Sequence, residues 1–143
     1  CNGCVMHSGE SCAEITVVQN TGNIMVGVVR PDLDPESDLP YTTDAFWGVD
    51  SASGDLYHNA EDYTDGGDRW EGQQPFGKEG DVLRLLLDLN AGTLTIQKNG
   101  DVLGTPVASD LTGPLCWAVT GHLDGQDDGV LSLRIKSMDP GEF

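Results

Sequence analysis

One stretch, residues 80–104, restricts the fold more than any other part of this 143-residue chain. It reads GDVLRLLLDLNAGTLTIQKNGDVLG. Strand side chains point to alternate faces, so its alternating apolar residues share one face of an extended chain. Asn99 and Gly100 tolerate the positive φ that tight hairpin turns require. The stretch therefore predicts three strands joined by two turns, with these residues facing a core: Leu83, Leu85, Leu87, Leu89, Leu94 and Ile96.

Similar short alternating runs occur on both sides of this stretch. Ile15 and Val17 are expected to point inward from the first strand, and Leu131, Leu133 and Ile135 share one face of the last. No segment shows a sustained helical period with caps, so the predicted class is all-β. Many short strands that each bury one face form a two-sheet sandwich or a barrel, and we favour the sandwich.

The length and composition indicate one folded domain. A chain of 143 residues buries roughly two-thirds of its unfolded surface, which is enough for a stable core without disulfide bonds or bound metal ions. No apolar stretch is long enough to cross a bilayer, so we expect a soluble, monomeric domain that does not bind membranes. Because the sequence starts at Cys1 without a methionine, residues 1–143 are expected to be a domain excised from a longer protein.

The charge is strongly acidic and excludes one class of partner. Seven Lys and Arg against 24 Asp and Glu give a net charge of -17, which repels nucleic-acid phosphates. The acids form three loop clusters, which are either solvated surfaces or sites that attract a basic peptide or Ca²⁺. The clusters comprise Asp32, Asp34, Glu36 and Asp38; Glu61, Asp62, Asp65 and Asp68; and Asp124, Asp127 and Asp128.

The residues that commonly carry chemistry do not form a recognisable site. Four cysteines and no glycosylation sequon favour a reducing, cytoplasmic location over a disulfide scaffold. Cys1, Cys4, His7 and Cys12 match no common zinc module, and alternate sides of a strand cannot all converge on one ion. The scattered histidines and the missing nucleophile elbow argue against an enzyme, and we expect no cofactor.

Beyond these patterns, residues 80–104 resemble the signature of the SPRY domain family. That signature has a glycine-acid pair, an LDL-x-x-GTL strand pair, a Lys-Asn-Gly turn and a further glycine. The similarity extends from about Met6 to about Ile135. Matching elements are Gly80-Asp81, Leu87-Asp88-Leu89, Gly92-Thr93-Leu94, Lys98-Asn99-Gly100 and Gly104, with Trp47-Gly48-Val49-Asp50, Leu56-Tyr57-His58-Asn59, Pro75-Phe76-Gly77, Gly113-Pro114-Leu115 and Ala118-Val119 on either side.

The resemblance implies a bent, concanavalin-like jelly roll of two antiparallel sheets that acts as a non-catalytic protein-interaction module. Loops at one end of such a sandwich bind a short peptide or a partner's loop. Tyr57 matches a tyrosine that lines the pocket of peptide-binding members. Thr120, Gly121 and His122 stand where those members have tryptophan, glycine and histidine, so their peptide specificity does not carry over.

We therefore expect a protein or peptide partner. A basic partner is favoured, because the acidic loops would attract it electrostatically. Trp70 is either an exposed binding anchor or a cap on the core beneath its loop. The alternative function is a carbohydrate-binding, lectin-like sandwich that uses aromatic residues and loop carboxylates, with or without calcium. The candidate contacts are Tyr41, Tyr57, Tyr63, Arg69, Trp70 and His122.

Overall fold

A computed structural model describes residues 5–20, 23–32, 45–59, 67–122 and 131–143. Its strands are β1 (Glu10–Asn20), β2 (Asn23–Val29), β3 (Phe46–Asp50), β4 (Leu56–Tyr57), β5 (Val82–Asp88), β6 (Thr93–Lys98), β7 (Asp101–Val107), β8 (Cys116–His122) and β9 (Leu131–Met138). A 3-10 turn follows at Pro140–Glu142. Within these ranges there is no α-helix, and hence none long and apolar enough to span a membrane.

The strands form two antiparallel sheets, which confirms the predicted all-β sandwich. One sheet has five strands in the order β7-β6-β5-β1-β9, and the other has four in the order β4-β3-β2-β8. The meander β5, β6 and β7 makes up more than half of the larger sheet, and β1 separates it from β9. The chain therefore crosses between the sheets instead of completing one before starting the other.

The core lies between the two sheets, where alternate residues of each strand meet. Leu83, Leu85 and Leu87 of β5 have no exposed surface, as the period-two pattern predicted. Ile15 of β1 and Val26 of β2 are equally buried, and all five belong to one cluster. Burial of this kind contributes about 1.5–3 kcal/mol per large aliphatic side chain, so these strands supply most of the stabilisation.

The predicted turns of the meander are confirmed in detail. Asn99 and Gly100 have φ of 52° and 91°, which the hairpin between β6 and β7 requires. Leu89 follows β5 instead of lying within it, and it is only partly buried against the core. The alternating pattern thus extends one residue further than the strand does.

A smaller apolar cluster lies on the opposite face of the four-stranded sheet. Met25, Phe46 and Tyr57 are buried there, with Val29 and Ala118 packed around them. These side chains alternate with residues of the main core along β2 and β3. Both faces of this sheet are therefore apolar near its centre, which explains why its strands read as nearly continuous hydrophobic runs.

A buried carboxylate connects the start of β5 with the segment before it and with the turn between β6 and β7. Asp81 is only 8% exposed. Its Oδ2 accepts hydrogen bonds from the backbone N–H of Gly77 at 3.1 Å and of Lys78 at 3.0 Å, and its Oδ1 accepts one from Asn99 Nδ2 at 3.1 Å. Asn99 Oδ1 in turn accepts from the Val82 N–H at 2.8 Å. The lead-in to the meander, its first strand and its second turn thus meet at one side chain.

Replacing Asp81 with alanine is expected to lower the free energy of unfolding by about 3 kcal/mol, because buried donors lose their acceptor. Asp81→Asn keeps one acceptor oxygen and should cost less. Asp101→Ala, at the exposed first residue of β7, should change stability by about 0.5 kcal/mol at most. Urea unfolding of the three variants checks this, and equal losses for Asp81→Ala and Asp101→Ala would contradict it.

Candidate functional site

The segment that carries Arg69 and Trp70 runs beside the short strand β4. Leu56 and Asp68 exchange two backbone hydrogen bonds, from the Leu56 N–H at 2.9 Å and from the Asp68 N–H at 2.7 Å. This isolated bridge is antiparallel and brings the next two residues alongside the chain that leads into β4. The two site residues predicted from this segment therefore lie on the β4 edge of the smaller sheet.

Trp70 caps the core, and part of its side chain remains exposed. The indole Nε1 donates to the carbonyl oxygen of Gly54 at 2.6 Å, and the ring packs against the main core cluster. Of the two alternatives for this residue, the cap accounts for the contacts within the chain. The side chain is half-buried, so a rigidly held tryptophan still presents part of its surface.

Gln73 fixes the position of this turn, and no sequence pattern indicates that role. Its Oε1 accepts from the Trp70 backbone N–H at 2.8 Å. Its Nε2 donates to the Ser53 carbonyl at 3.1 Å and to Asp55 Oδ1 at 2.7 Å. An amide side chain at this position can donate and accept at the same time, which neither a carboxylate nor an ammonium can do.

The same turn approaches the edge of the other sheet. A Cβ placed on Gly72 would lie 1.8 Å from the Leu103 carbonyl oxygen in β7, so only glycine fits. A Cβ on Gly104 would lie 2.5 Å from the Glu71 carbonyl oxygen and 3.2 Å from the Trp70 ring. Residues 70–73 therefore join β4 of one sheet to β7 of the other and close this side of the sandwich.

Exposed charges surround the half-buried tryptophan on this side. The side chains of Asp68, Arg69 and Glu71 are exposed, and Asp55 is partly exposed. Three carboxylates and one guanidinium give the surface a net negative charge. We call these four residues and Trp70 the acidic edge.

A second aromatic arrangement lies where β2 ends and β3 begins. The rings of Trp47 and His58 stack with centroids 4.4 Å apart and planes 8° from parallel, and the Arg30 guanidinium lies 5.2 Å from the Trp47 centroid. His58 Nδ1 is hydrogen-bonded to the Phe46 carbonyl at 2.8 Å. The Arg30 guanidinium also donates to the carbonyl and hydroxyl oxygens of Thr112. The donors and the cationic face of Arg30 are thus used within the domain, so this stack stabilises the fold.

The remaining predicted contacts are not gathered at the acidic edge. Tyr57 is 3% exposed and belongs to the Met25 and Phe46 cluster on the outer face of the smaller sheet. His122 ends β8, the strand at the far side of that sheet from β4, so three strand spacings of about 4.8 Å separate their backbones. Tyr41, Tyr63 and the side chain of His122 lie outside the described residues.

Most of the side chains considered as alternative metal ligands lie outside the described parts of the chain. These are the acids of residues 33–44, 60–66 and 123–130 and two of the four amino-terminal zinc candidates, Cys1 and Cys4. Among the residues that are described, no three His, Cys, Asp or Glu side chains converge as a metal site would require. Cys12 and Cys116 are buried at the starts of β1 and β8.

The architecture and the sequence both match known proteins. The crystal structure of the SPRY domain of human HERC1 superposes with a TM-score of 0.71 at 24% sequence identity, covering 94% of this chain and 78% of that one. No protein of curated function matches the chain. The family model of the SPRY domain matches residues 13–126, which span both sheets from β1 through β8. With this match and the confirmed sandwich, the chain belongs to the SPRY domain family, whose members are generally non-catalytic modules that bind protein partners.

Proposed function

We propose that this domain binds an extended peptide or an exposed loop of a protein partner with basic character, and that the acidic edge is part of the binding surface. The observation that carries the proposal is Trp70, a tryptophan held in one orientation between exposed carboxylates. Tyr41, Tyr57, Tyr63 and His122 remain predicted contacts of the same partner.

The geometry of Trp70 favours a role as an anchor. Its indole nitrogen and its backbone nitrogen are both hydrogen-bonded, at 2.6 Å and 2.8 Å, so binding would cost little additional side-chain entropy. Rigid aromatic side chains in such positions supply a large share of the energy of protein interfaces. The exposed part of the ring would pack against the stem of a lysine or arginine or against an apolar side chain of the peptide.

The charges around Trp70 favour a basic partner. Asp68 and Glu71 are exposed on either side of it, and the whole chain carries a net charge of -17. Fields of this kind raise the association rate of an oppositely charged partner and lose strength as salt screens them. Arg69, between the two carboxylates, would add a direct contact to a carbonyl or carboxylate of the partner.

The first test is a pull-down with the purified domain at low and high salt, with and without EDTA, read out by mass spectrometry. We expect proteins with exposed basic segments, captured at low salt and indifferent to EDTA. The second test measures association of a captured segment with the double variant Asp68→Asn, Glu71→Gln. Association should slow about fivefold, with a smaller change in the dissociation rate.

A matched control separates the acidic edge from the overall charge. Asp101→Asn with Asp110→Asn also removes two exposed carboxylates, and asparagine tolerates the positive φ of 72° at Asp110. Equal slowing in both double variants would contradict a site at the acidic edge. Capture of glycoproteins only when calcium is present would instead support the lectin-like alternative and overturn the proposal.

A further inference from the structure

The side of the sandwich opposite the acidic edge is constructed differently. There, β9 lies at the end of the five-stranded sheet and β8 at the end of the four-stranded one. Within the described ranges, β9 pairs only with β1, so the outward N–H and C=O groups of an 8-residue strand have no ladder partner. Unpaired edges of this length accept extended segments from other chains.

Apolar side chains along this edge are left uncovered. Ile135 lies opposite the buried Ile15 and shares its face of the sheet, yet it is 55% exposed. Near the end of β9, a groove of about 280 Å³ is lined by Met6, Trp117 and Met138 together with the polar residues Glu10, Ser11 and Ser137. A strand added to β9 would cover Ile135, and its next inward side chain would reach toward this groove.

The other face of β9 carries positive charge, which is rare in this chain. Lys136 and Arg134 are both exposed and stand two residues apart, opposite Glu14 and Thr16 of β1. Glu14 is shared, because its carboxylate lies 3.4 Å from Lys136 Nζ and 3.0 Å from Arg84 Nε. Three cations and one anion thus form a row with net positive charge across the outer face of the sheet.

We infer that the free edge of β9 takes up an extended segment of a partner protein in which acidic residues alternate with apolar ones. In such a segment, carboxylates two residues apart face Arg134 and Lys136, and the apolar residue between them faces Ile135. Backbone hydrogen bonds supply the pairing, and the charges and the groove select the sequence. This surface is separate from the acidic edge, and it takes a segment of opposite character.

A second copy of this chain does not fit the edge in the register that covers Ile135. An antiparallel pair of β9 strands centred on Ile135 would set Arg134 of each copy opposite Lys136 of the other. Like charges directly opposite destabilise a strand pair. The occupant is therefore a different protein.

The test uses synthetic peptides as long as β9, 8 residues, and follows backbone amide signals and hydrogen exchange of the isotope-labelled domain by NMR. The first peptide alternates glutamate with valine. The second has the same composition with the glutamates and valines in separate blocks, the third alternates lysine with valine, and the fourth is the first with alternate backbone nitrogens methylated. We expect the first to slow exchange of β9 amides and to bind about tenfold more tightly than the other three.

Charge reversal gives an independent result. Arg134→Glu should lower the affinity for the glutamate peptide about fivefold and raise the affinity for the lysine peptide. Lys78→Glu, at an exposed lysine away from β9, should change neither affinity. Equal affinity for all four peptides overturns the inference, as does protection confined to the acidic edge. Concentration-dependent self-association through β9, seen by sedimentation, also overturns it. Should Arg134→Glu not fold, the four-peptide comparison on the unaltered domain decides alone.

Discussion

Replacing Leu85 with alanine is expected to lower the free energy of unfolding by about 3–4 kcal/mol, the largest loss from any single aliphatic truncation proposed for this chain. Leu85 lies in the middle of β5, the central strand of the larger sheet, and has no exposed surface. It pairs with Ala13 on one side and Ile96 on the other, both buried. Neighbours held in two ladders cannot move in to fill the cavity, so little of the loss is recovered.

The adjacent residue supplies a matched control. Leu86 is the same residue type in the same strand, but it points to the opposite face and is only half-buried. Leu86→Ala should cost about 1 kcal/mol, since less apolar surface and no closed cavity are involved. Chemical denaturation followed by tryptophan fluorescence and circular dichroism measures both. Similar losses for the two variants would contradict the burial of one face of β5 in the core and the partial exposure of the other.

A second large effect is expected at the turn that closes the β4 and β7 side. Gly72 has a φ of 92°, and a Cβ there would meet the backbone carbonyl of Leu103 at 1.8 Å. Gly72→Ala should therefore cost about 1–2 kcal/mol for the left-handed backbone and about 2 kcal/mol more for separating the turn from β7. Detachment of the turn would also expose Trp70 and shift its fluorescence to longer wavelength.

Gly100 isolates the second contribution. Its φ of 91° is nearly identical, but nothing lies within 4 Å of the position where its Cβ would be. Gly100→Ala should show the conformational cost alone, with unchanged fluorescence of the folded state. If both variants lose the same stability, the close approach of the turn to β7 contributes nothing to the stability of this edge.

Most of the fold was predictable because local patterns agree with the tertiary arrangement. The alternation from Leu83 to Leu87 and the turn at Asn99 and Gly100 each restrict the chain by themselves, and the sandwich follows from burying one face of every strand. Ile135 shows where this reasoning stops. Its pattern is that of a core residue, but whether a side chain is covered depends on the strand order, which places β9 at an end.

The candidate site was less predictable, because it depends on contacts between distant segments. Trp70 reads equally well as an anchor or as a cap until Gly54 is known to accept its indole proton. The sequence around Gln73 does not indicate that its side chain makes three hydrogen bonds, to residues 53, 55 and 70. Tyr57 was identified by resemblance alone, and the two-sided burial of the smaller sheet is what places it in a cluster with Phe46.

The turn at residues 70–73 also determines how many times the larger sheet can be lengthened. Sheets that polymerise edge to edge need two receptive ends, one to add to the previous copy and one to accept the next. Here the Leu103 and Gly104 backbone of β7 is in contact with the turn, whereas no strand of the described residues pairs with the outer edge of β9. Such a sheet can be extended at one end only. After one strand has been added at β9, no further copy can add to the sheet, so a fibre cannot grow through it.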